Sequence, residues 1–245
     1  MATAIAITSG KGGTGKTSLT GGVASCLAAL GSRVLCIDMD IGMRNLDISL
    51  GMTDRALMDF TDVLAGRCSL ERAAVPHPVI EGLYLLNAPL TLSGPLPLNE
   101  MADLVTAAKT QFDYILMDSP AGLGDGFHLA TCCADRAVVV STTDSSALRD
   151  AQRTVAVLTG ILPHIHLVVN RVQPKLLRRL HTTIDDAMDT AGLPLLGVVP
   201  EDSQVMLSAN TGQPLILTSR RGAAVAYLNI ARRLMGQRVP LMKIR

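Results

Sequence analysis

The feature that most limits the fold is a recurring one. Short β-rich apolar runs alternate with longer helix-patterned segments along the chain. The runs are "TAIAITS" (3–9), "RVLCID" (33–38), "LYLLNA" (83–88), "YILMDS" (114–119), "RAVVVST" (136–142), "HLVVN" (166–170) and "LLGVV" (195–199). They are continuously apolar rather than alternating, the pattern of strands covered on both faces. Segments such as 16–30, 99–111, 145–160 and 183–191 have helical length. This alternation predicts an α/β fold with a mostly parallel central β-sheet and helices on both faces. The chain has 245 residues, 48% of them hydrophobic, and no linker, repeat or low-complexity run divides it, so a single domain is expected.

Sheets of this kind bind ligands beyond the carboxyl ends of their strands, and the informative residues lie there. Gly10, Lys11, Gly12, Gly13, Thr14, Gly15, Lys16 and Thr17, followed by Ser18, fit G-x-x-x-x-G-K-[ST] between a strand and a helix. Glycines let successive N–H groups turn toward phosphate oxygens, and the helix start adds positive partial charge. Lys16 is placed to reach the β- and γ-phosphates, and Thr17 to offer a hydroxyl to Mg²⁺. A second lysine, Lys11, has no role in a loop that needs one. Either it is an ordinary solvated lysine, or it crosses to a second subunit and stabilises charge on the transferring phosphoryl group. Mechanism alone leaves both open.

Asp38 and Asp40 end the second strand with one residue between them, so they face one side. They suit indirect Mg²⁺ contact and orientation of a water. Asp118 closes "YILMD" as the acid expected to act on Mg²⁺. Gly122 follows in "SPAG" and could give its N–H to the γ-phosphate. Arg44 and Asn45 lie where a partner's nucleotide, a regulator or only solvent could meet them. Asn170 and Arg171 end a later strand, and Pro200, Glu201 and Asp202 follow another.

The loop "KGGTGKT" resembles the deviant phosphate loop of the MinD/ParA ATPases, a P-loop NTPase family. "IDMDIGMRNLDISLG" (37–51), "YILMDSPAGLGDG" (114–126), "TTDSSALRDAQR" (142–153), "VVNRVQP" (168–174) and "LLGVVPEDSQVMLSANTGQPL" (195–215) extend the likeness, in order, over nearly the whole chain. "DIGMRNLD" and "DSPAGL" favour the MinD branch over the ParA branch. The resemblance implies an ATPase, ATP + H2O to ADP + phosphate, with ATP and Mg²⁺ as cofactors. It implies that Lys11 contacts the partner's nucleotide in an ATP-bound sandwich homodimer and that Asp40 acts on the attacking water. It also places Asn170 on the adenine by hydrogen bonding, Arg171 packed on it, and the 200–202 loop over the base. The implied output is a molecular switch that recruits a MinC-like division inhibitor to place the septum. A MinE-like or other activator would release it, in the cytoplasm and peripherally on the inner leaflet of the cell membrane. The alternatives are a flagellar-number regulator or a ParA-type DNA-segregation ATPase of the same family, or a nucleotide-bound scaffold with little turnover. Against a scaffold stand the intact Lys11, Lys16, Asp40 and Asp118.

Composition narrows the partners. Lys+Arg number 22 against Asp+Glu 21, and aromatics are 2%, so nucleic acid is not an expected ligand. The N-terminus has no signal-peptide pattern, and no apolar run is long enough to span a membrane. Cys26, Cys36, Cys68, Cys132 and Cys133 include no CxxC pair and read as reduced thiols. The nitrogenase iron protein shares the expected fold and holds a cluster between subunits. Adjacent Cys132 and Cys133 would face different sides of a helix, so they read as buried helix residues and no iron–sulfur cluster is expected. The five histidines show no metal-ligand spacing.

The expected ATPase domain is 1–236, its last helix about 221–235, followed by a short basic-apolar tail, 237–245. Pro240 obstructs helix continuation there. Val239, Leu241, Met242 and Ile244, with Arg238, Lys243 and Arg245, suit a headgroup region but are few for stable anchoring.

Overall fold

The structure is a computed structural model and describes residues 2–92 and 94–242. Its strands are β1 (Thr3–Ser9), β2 (Val34–Asp38), β3 (Val75–Pro76), β4 (Leu83–Leu86), β5 (Tyr114–Ala121), β6 (Arg136–Ser141), β7 (Ile165–Val172) and β8 (Leu195–Pro200). They form one 8-stranded sheet in the order β3-β4-β2-β5-β1-β6-β7-β8. Every pairing is parallel except the short edge pair β3–β4. The helices run α1 (Lys16–Ala29), α2 (Leu46–Leu50), α3 (Phe60–Leu64), α4 (Leu70–Ala73), α5 (Leu98–Ala108) and α6 (Asp125–Thr131). They continue as α7 (Ser145–Leu158), α8 (Pro174–Leu180), α9 (Ile184–Ala191), α10 (Ser203–Thr211), α11 (Leu215–Thr218) and α12 (Ala223–Leu234).

Both sheet faces are buried, as continuous apolar strands require. In β1, Ile5 and Ile7 face a core with Leu19, Val23 and Leu27 of α1 and Tyr227 and Ile230 of α12. Ala4 and Ala6 face the opposite core with Met101 and Leu104 of α5, Phe127 of α6 and Leu148 of α7. Each fully buried Ile or Leu stabilises by roughly 1.5–3 kcal/mol. The chain steps from β1 to β2 on one side and later reaches β6 on the other, so the order reverses around β1. The loop after β1 therefore opens into the crevice where such sheets bind ligands.

All seven strands read from the sequence are present. The added one, β3, has two residues, one a proline, too few to show a period. One expectation needs correction. Helix α6 ends at Thr131, so Cys132 and Cys133 lie in the turn after it. Cys132 is exposed, and the two thiols do not face apart, because both donate to the Leu129 carbonyl. Beyond α12, residues 237–242 form no helix and lie against the body. The Arg233 guanidinium donates to the carbonyls of Leu196 (2.8 Å), Val239 (2.9 Å) and Pro240 (2.9 Å), and Met242 packs on the α1–α12 core. Lys243, Ile244 and Arg245 lie outside the described residues. No helix among the described residues is long and apolar enough to cross a membrane.

Candidate nucleotide-binding site

The loop from Gly10 to Thr17 joins the end of β1 to the start of α1. Gly10 packs so closely on α7 that a Cβ would overlap the Asp150 carbonyl. Gly13 and Gly15 take φ 76° and 86°, the left-handed region that favours glycine. Gly15 precedes α1 without a side-chain cap, which leaves the helix's first N–H groups for a ligand. The Thr14 hydroxyl is buried and has no partner among the described residues. A cradle of free N–H groups and an orphaned hydroxyl fit a bound phosphate chain.

Lys16 is buried beside the acids. Burial pulls its pKa down, while Asp118 and Asp40 hold it up. Asp38 and Asp118 are register neighbours on β2 and β5. Burial pushes Asp38 up to about 7, the Asp118 charge adds to this, and N–H donation from Asp40 and Leu46 opposes it. Burial pushes Asp118 up to about 6 against hydrogen bonds from Thr17 and Thr20 and the Lys16 charge. The Thr20 hydroxyl donates to Asp118 at 2.8 Å. Asp40 is also raised by burial, with Lys16 pulling it back. Asp118 and Asp40 act on the one ammonium and Asp38 adjoins Asp118, so negative charge is left uncompensated, and oxygen donors in that balance fit a hard divalent cation. Asp38 has a further task. Its two oxygens take the N–H groups of Asp40 (2.8 Å) and Leu46 (3.1 Å), which fixes the loop that follows β2.

Lys11 is half-exposed and lies across the mouth of the loop. Its Nζ donates to Ser146 Oγ (2.6 Å) and pairs with Asp144 (3.5 Å) at the start of α7. Asp144 also caps α7 by accepting from Ala147 N at 3.0 Å, and its carboxyl is held below the usual range first by the Thr142 hydroxyl. Gly122 N–H donates to the Ser9 carbonyl at 3.0 Å and is not free. Arg44 is pinned to the Ala88 carbonyl (2.6 Å) and Asp59 (3.3 Å), while Asn45 occupies the N-cap position of α2.

On the other side of the loop lies a cleft of about 380 Å³ lined by Gly13, Gly15, Ser18, Asn170, Arg171, Pro200, Glu201 and Asp202. The sequence reading had brought these residues together. Their side chains, however, are engaged. Asn170 Nδ2 donates to the Thr14 carbonyl (2.8 Å) and its oxygen accepts from Arg171 N (2.9 Å). Arg171 takes φ 56° and bridges Gly13 O (3.1 Å) and Glu201 (2.8 Å). Asp202 caps two helices, accepting from Gln204 N at 3.0 Å and Ala223 N at 3.0 Å. A base in this cleft would meet backbone and carbon more than free polar side chains. Sequence reasoning missed Val205, Met206 and Tyr227 of the lining, and Thr20, Asp144 and Ser146. Asp144 before "SSA" is a helix-start signal, which marks α7 but not the lysine that reaches it.

Comparison with known proteins agrees with this geometry. Residues 5–215 match the CobQ/CobB/MinD/ParA nucleotide binding domain. The septum site-determining protein MinD of Bacillus subtilis (strain 168) is 40% identical over 98% of this chain and 92% of its own. A chain of the MinC:MinD cell division protein complex of Aquifex aeolicus superposes with a TM-score of 0.92 at 37% identity, covering 99% of both chains. MinD of Pyrococcus horikoshii OT3, solved with Mg-ADP, superposes with a TM-score of 0.84 at 29% identity over 96% of both. A phosphate loop with two lysines, a carboxylate pair suited to Mg²⁺ and these full-length likenesses meet in one statement: the chain belongs to the CobQ/CobB/MinD/ParA family, as a MinD-type P-loop ATPase that uses ATP and Mg²⁺.

Proposed function

We propose that this ATPase is a nucleotide-driven switch that dimerises on ATP and recruits a division inhibitor to place the septum. The supporting observation is Lys11. It stands at the open lip of the loop, half-exposed, tethered to Asp144 and Ser146 and not to the phosphate cradle. A long cation so placed can swing to a second subunit's nucleotide, which makes ATP binding and dimerisation one event.

The remaining roles follow from chemistry and position. Backbone N–H groups of 10–18 would hold the phosphates, Lys16 would neutralise them, and Thr17, Asp38 and Asp118 would hold Mg²⁺ directly or through water, where it would supply Lewis-acid withdrawal of charge from the phosphate oxygens. Asp40 orients the attacking water, and Gly122 exchanges the Ser9 carbonyl for the γ-phosphate. Asn170, Arg171 and the Pro200–Asp202 loop enclose the base. By likeness to the Aquifex aeolicus complex, the inhibitor is MinC-like. The ATPase domain is 1–236, and the 237–245 tail supports peripheral membrane contact once released from Arg233, with a MinE-like activator ending the cycle.

Sedimentation velocity with ATP, ADP and no nucleotide tests the switch. Wild type dimerises with ATP only, and Lys11→Ala stays monomeric while still binding ATP. A Lys11→Ala chain that dimerises normally removes the trans role. Co-sedimentation with anionic vesicles then tests the tail: ATP-dependent pelleting is expected.

A further inference from the structure

At the end of α6 two thiols share one carbonyl acceptor, and one of them touches a buried thioether. Cys132 and Cys133 both place Sγ 3.3 Å from the Leu129 carbonyl oxygen. Cys133 Sγ lies 3.5 Å from Met117 Sδ. Three sulfurs bound to one ion at about 2.3 Å each stand roughly 4 Å apart; the Cys133–Met117 pair already stands at 3.5 Å, and Cys132 would leave the Leu129 carbonyl to complete the set. The cluster is graded in depth: Cys132 is exposed, Cys133 half-buried, and Met117 fully buried in β5. An ion can therefore be caught at the surface and seated against an interior thioether.

The donor set selects the ion. Among the described residues no three His, Cys, Asp or Glu side chains converge to hold a metal. The cluster reaches three ligands only by counting the thioether. Thiolate with thioether is a soft set, matched to Cu(I) rather than to Mg²⁺ or Ca²⁺. Lys109, paired with Asp135 at 2.7 Å, lies near enough for its charge to act on Cys133. It offsets the negative charge of a dithiolate complex.

We propose that Cys132, Cys133 and Met117 form a binding site for a soft monovalent metal ion of the Cu(I) class. Two S–H bonds break and release two protons to solvent. Two metal–thiolate bonds and one metal–thioether bond form, and the ion enters and stays as Cu(I), so no electron moves. The site would clip the end of α6 to the residue before Asp118. It does not depend on the nucleotide reading.

The test is an anaerobic titration of the full chain with Cu(I) in competition with bicinchoninate. One equivalent per chain is expected, at an affinity unchanged in Cys68→Ser and in Lys16→Ala. The Cys132→Ser/Cys133→Ser pair should lose that equivalent. Met117→Leu, which conserves volume, should weaken it by about tenfold or more. X-ray absorption of the loaded protein should show three sulfur ligands. Wild-type affinity in the double variant overturns the site. Two sulfur ligands with no effect of Met117→Leu overturns the three-sulfur assignment, and that variant keeps the test open if the double variant fails to fold. Copper binding retained in a Lys16→Ala chain that has lost nucleotide separates this result from the ATPase site.

Discussion

Asp144→Asn is the perturbation that most directly weighs the tether on Lys11. The pair is 3.5 Å apart, with side chains 45% and 53% exposed. Ion pairs this exposed contribute about 0.2–1 kcal/mol. In the proposed two-fold dimer both Lys11 side chains leave their tethers. Removing both pairs therefore favours the dimer by about 0.4–2 kcal/mol, roughly 2- to 30-fold in its association constant. Asparagine keeps an oxygen for Ala147 N, so the α7 cap survives and the charge alone is lost. Sedimentation velocity with a slowly hydrolysed ATP analogue measures the shift. It should shrink as salt rises, because an exposed pair is screened. An Asp144→Asn dimer no tighter than wild type, from a chain with an unchanged melting temperature, refutes the tether. Lys11→Ala/Asp144→Asn must show no ATP-dependent dimer.

Other outcomes follow from the same geometry. Lys16→Ala should lower the rate of phosphate release by about 10²-fold or more, the loss seen when one preorganised charge-stabilising group is removed. Asp38 and Asp118 have folded pKa values near 7 and 6, above their ordinary 3.8. Their contribution to stability is complete below about 4 and is lost as pH rises through 6 to 7. The nucleotide-free chain should thus lose melting temperature from these groups between about pH 4 and 7, and Mg²⁺-nucleotide should bind more tightly as pH rises across that range in calorimetry, with proton release below pH 7. Arg233→Ala removes a charged donor from three carbonyls. It should destabilise by about 1.5–3 kcal/mol and raise hydrogen exchange at 237–242. Slow exchange there in the variant contradicts the clamp.

The sheet was legible because its strands are buried on both faces, and continuous apolar runs such as "TAIAITS" and "RAVVVST" carry that burial in one dimension. The long helices were legible for a related reason: α7 and α12 each present one apolar stripe. The short helices α2 to α4 and α8 have four to seven residues, too few for a periodicity to show, and only α3 carries a side-chain cap, from Asp59. Candidate site residues could be named from the sequence because P-loop residues and strand ends are local features. Side-chain partners were not. Asp144 reaching Lys11, Asn170 reaching Thr14 and Thr20 reaching Asp118 span about a hundred residues or more. The convergence of Cys132 and Cys133 was misread because α6 stops one residue before the pair, and only the helix end turns both thiols to one carbonyl.

These partners share a logic that bears on how the switch is set. Lys11 is satisfied by Asp144 and Ser146, Gly122 N–H by Ser9, Asn170 by Thr14, and Arg171 by Gly13 and Glu201. Each group proposed to meet nucleotide thus already has a substitute partner within the chain. Binding then exchanges hydrogen bonds rather than adding them, so each exchange nets far less than an isolated bond. Such a site favours moderate affinity and a nucleotide-free state that does not collapse. In the proposed switch the exchange is also where coupling arises: releasing Gly122 from Ser9 would free the segment that leads into α6, and releasing Lys11 from α7 would present a cation to a second subunit. A ligand shifts a two-state element only by its differential affinity for the two states. Here the difference lies in which carbonyls and carboxylates are left behind. Diphosphate has no γ-phosphate with which to replace the Ser9 carbonyl at Gly122, so ADP should leave Lys11 on α7 and the chain monomeric.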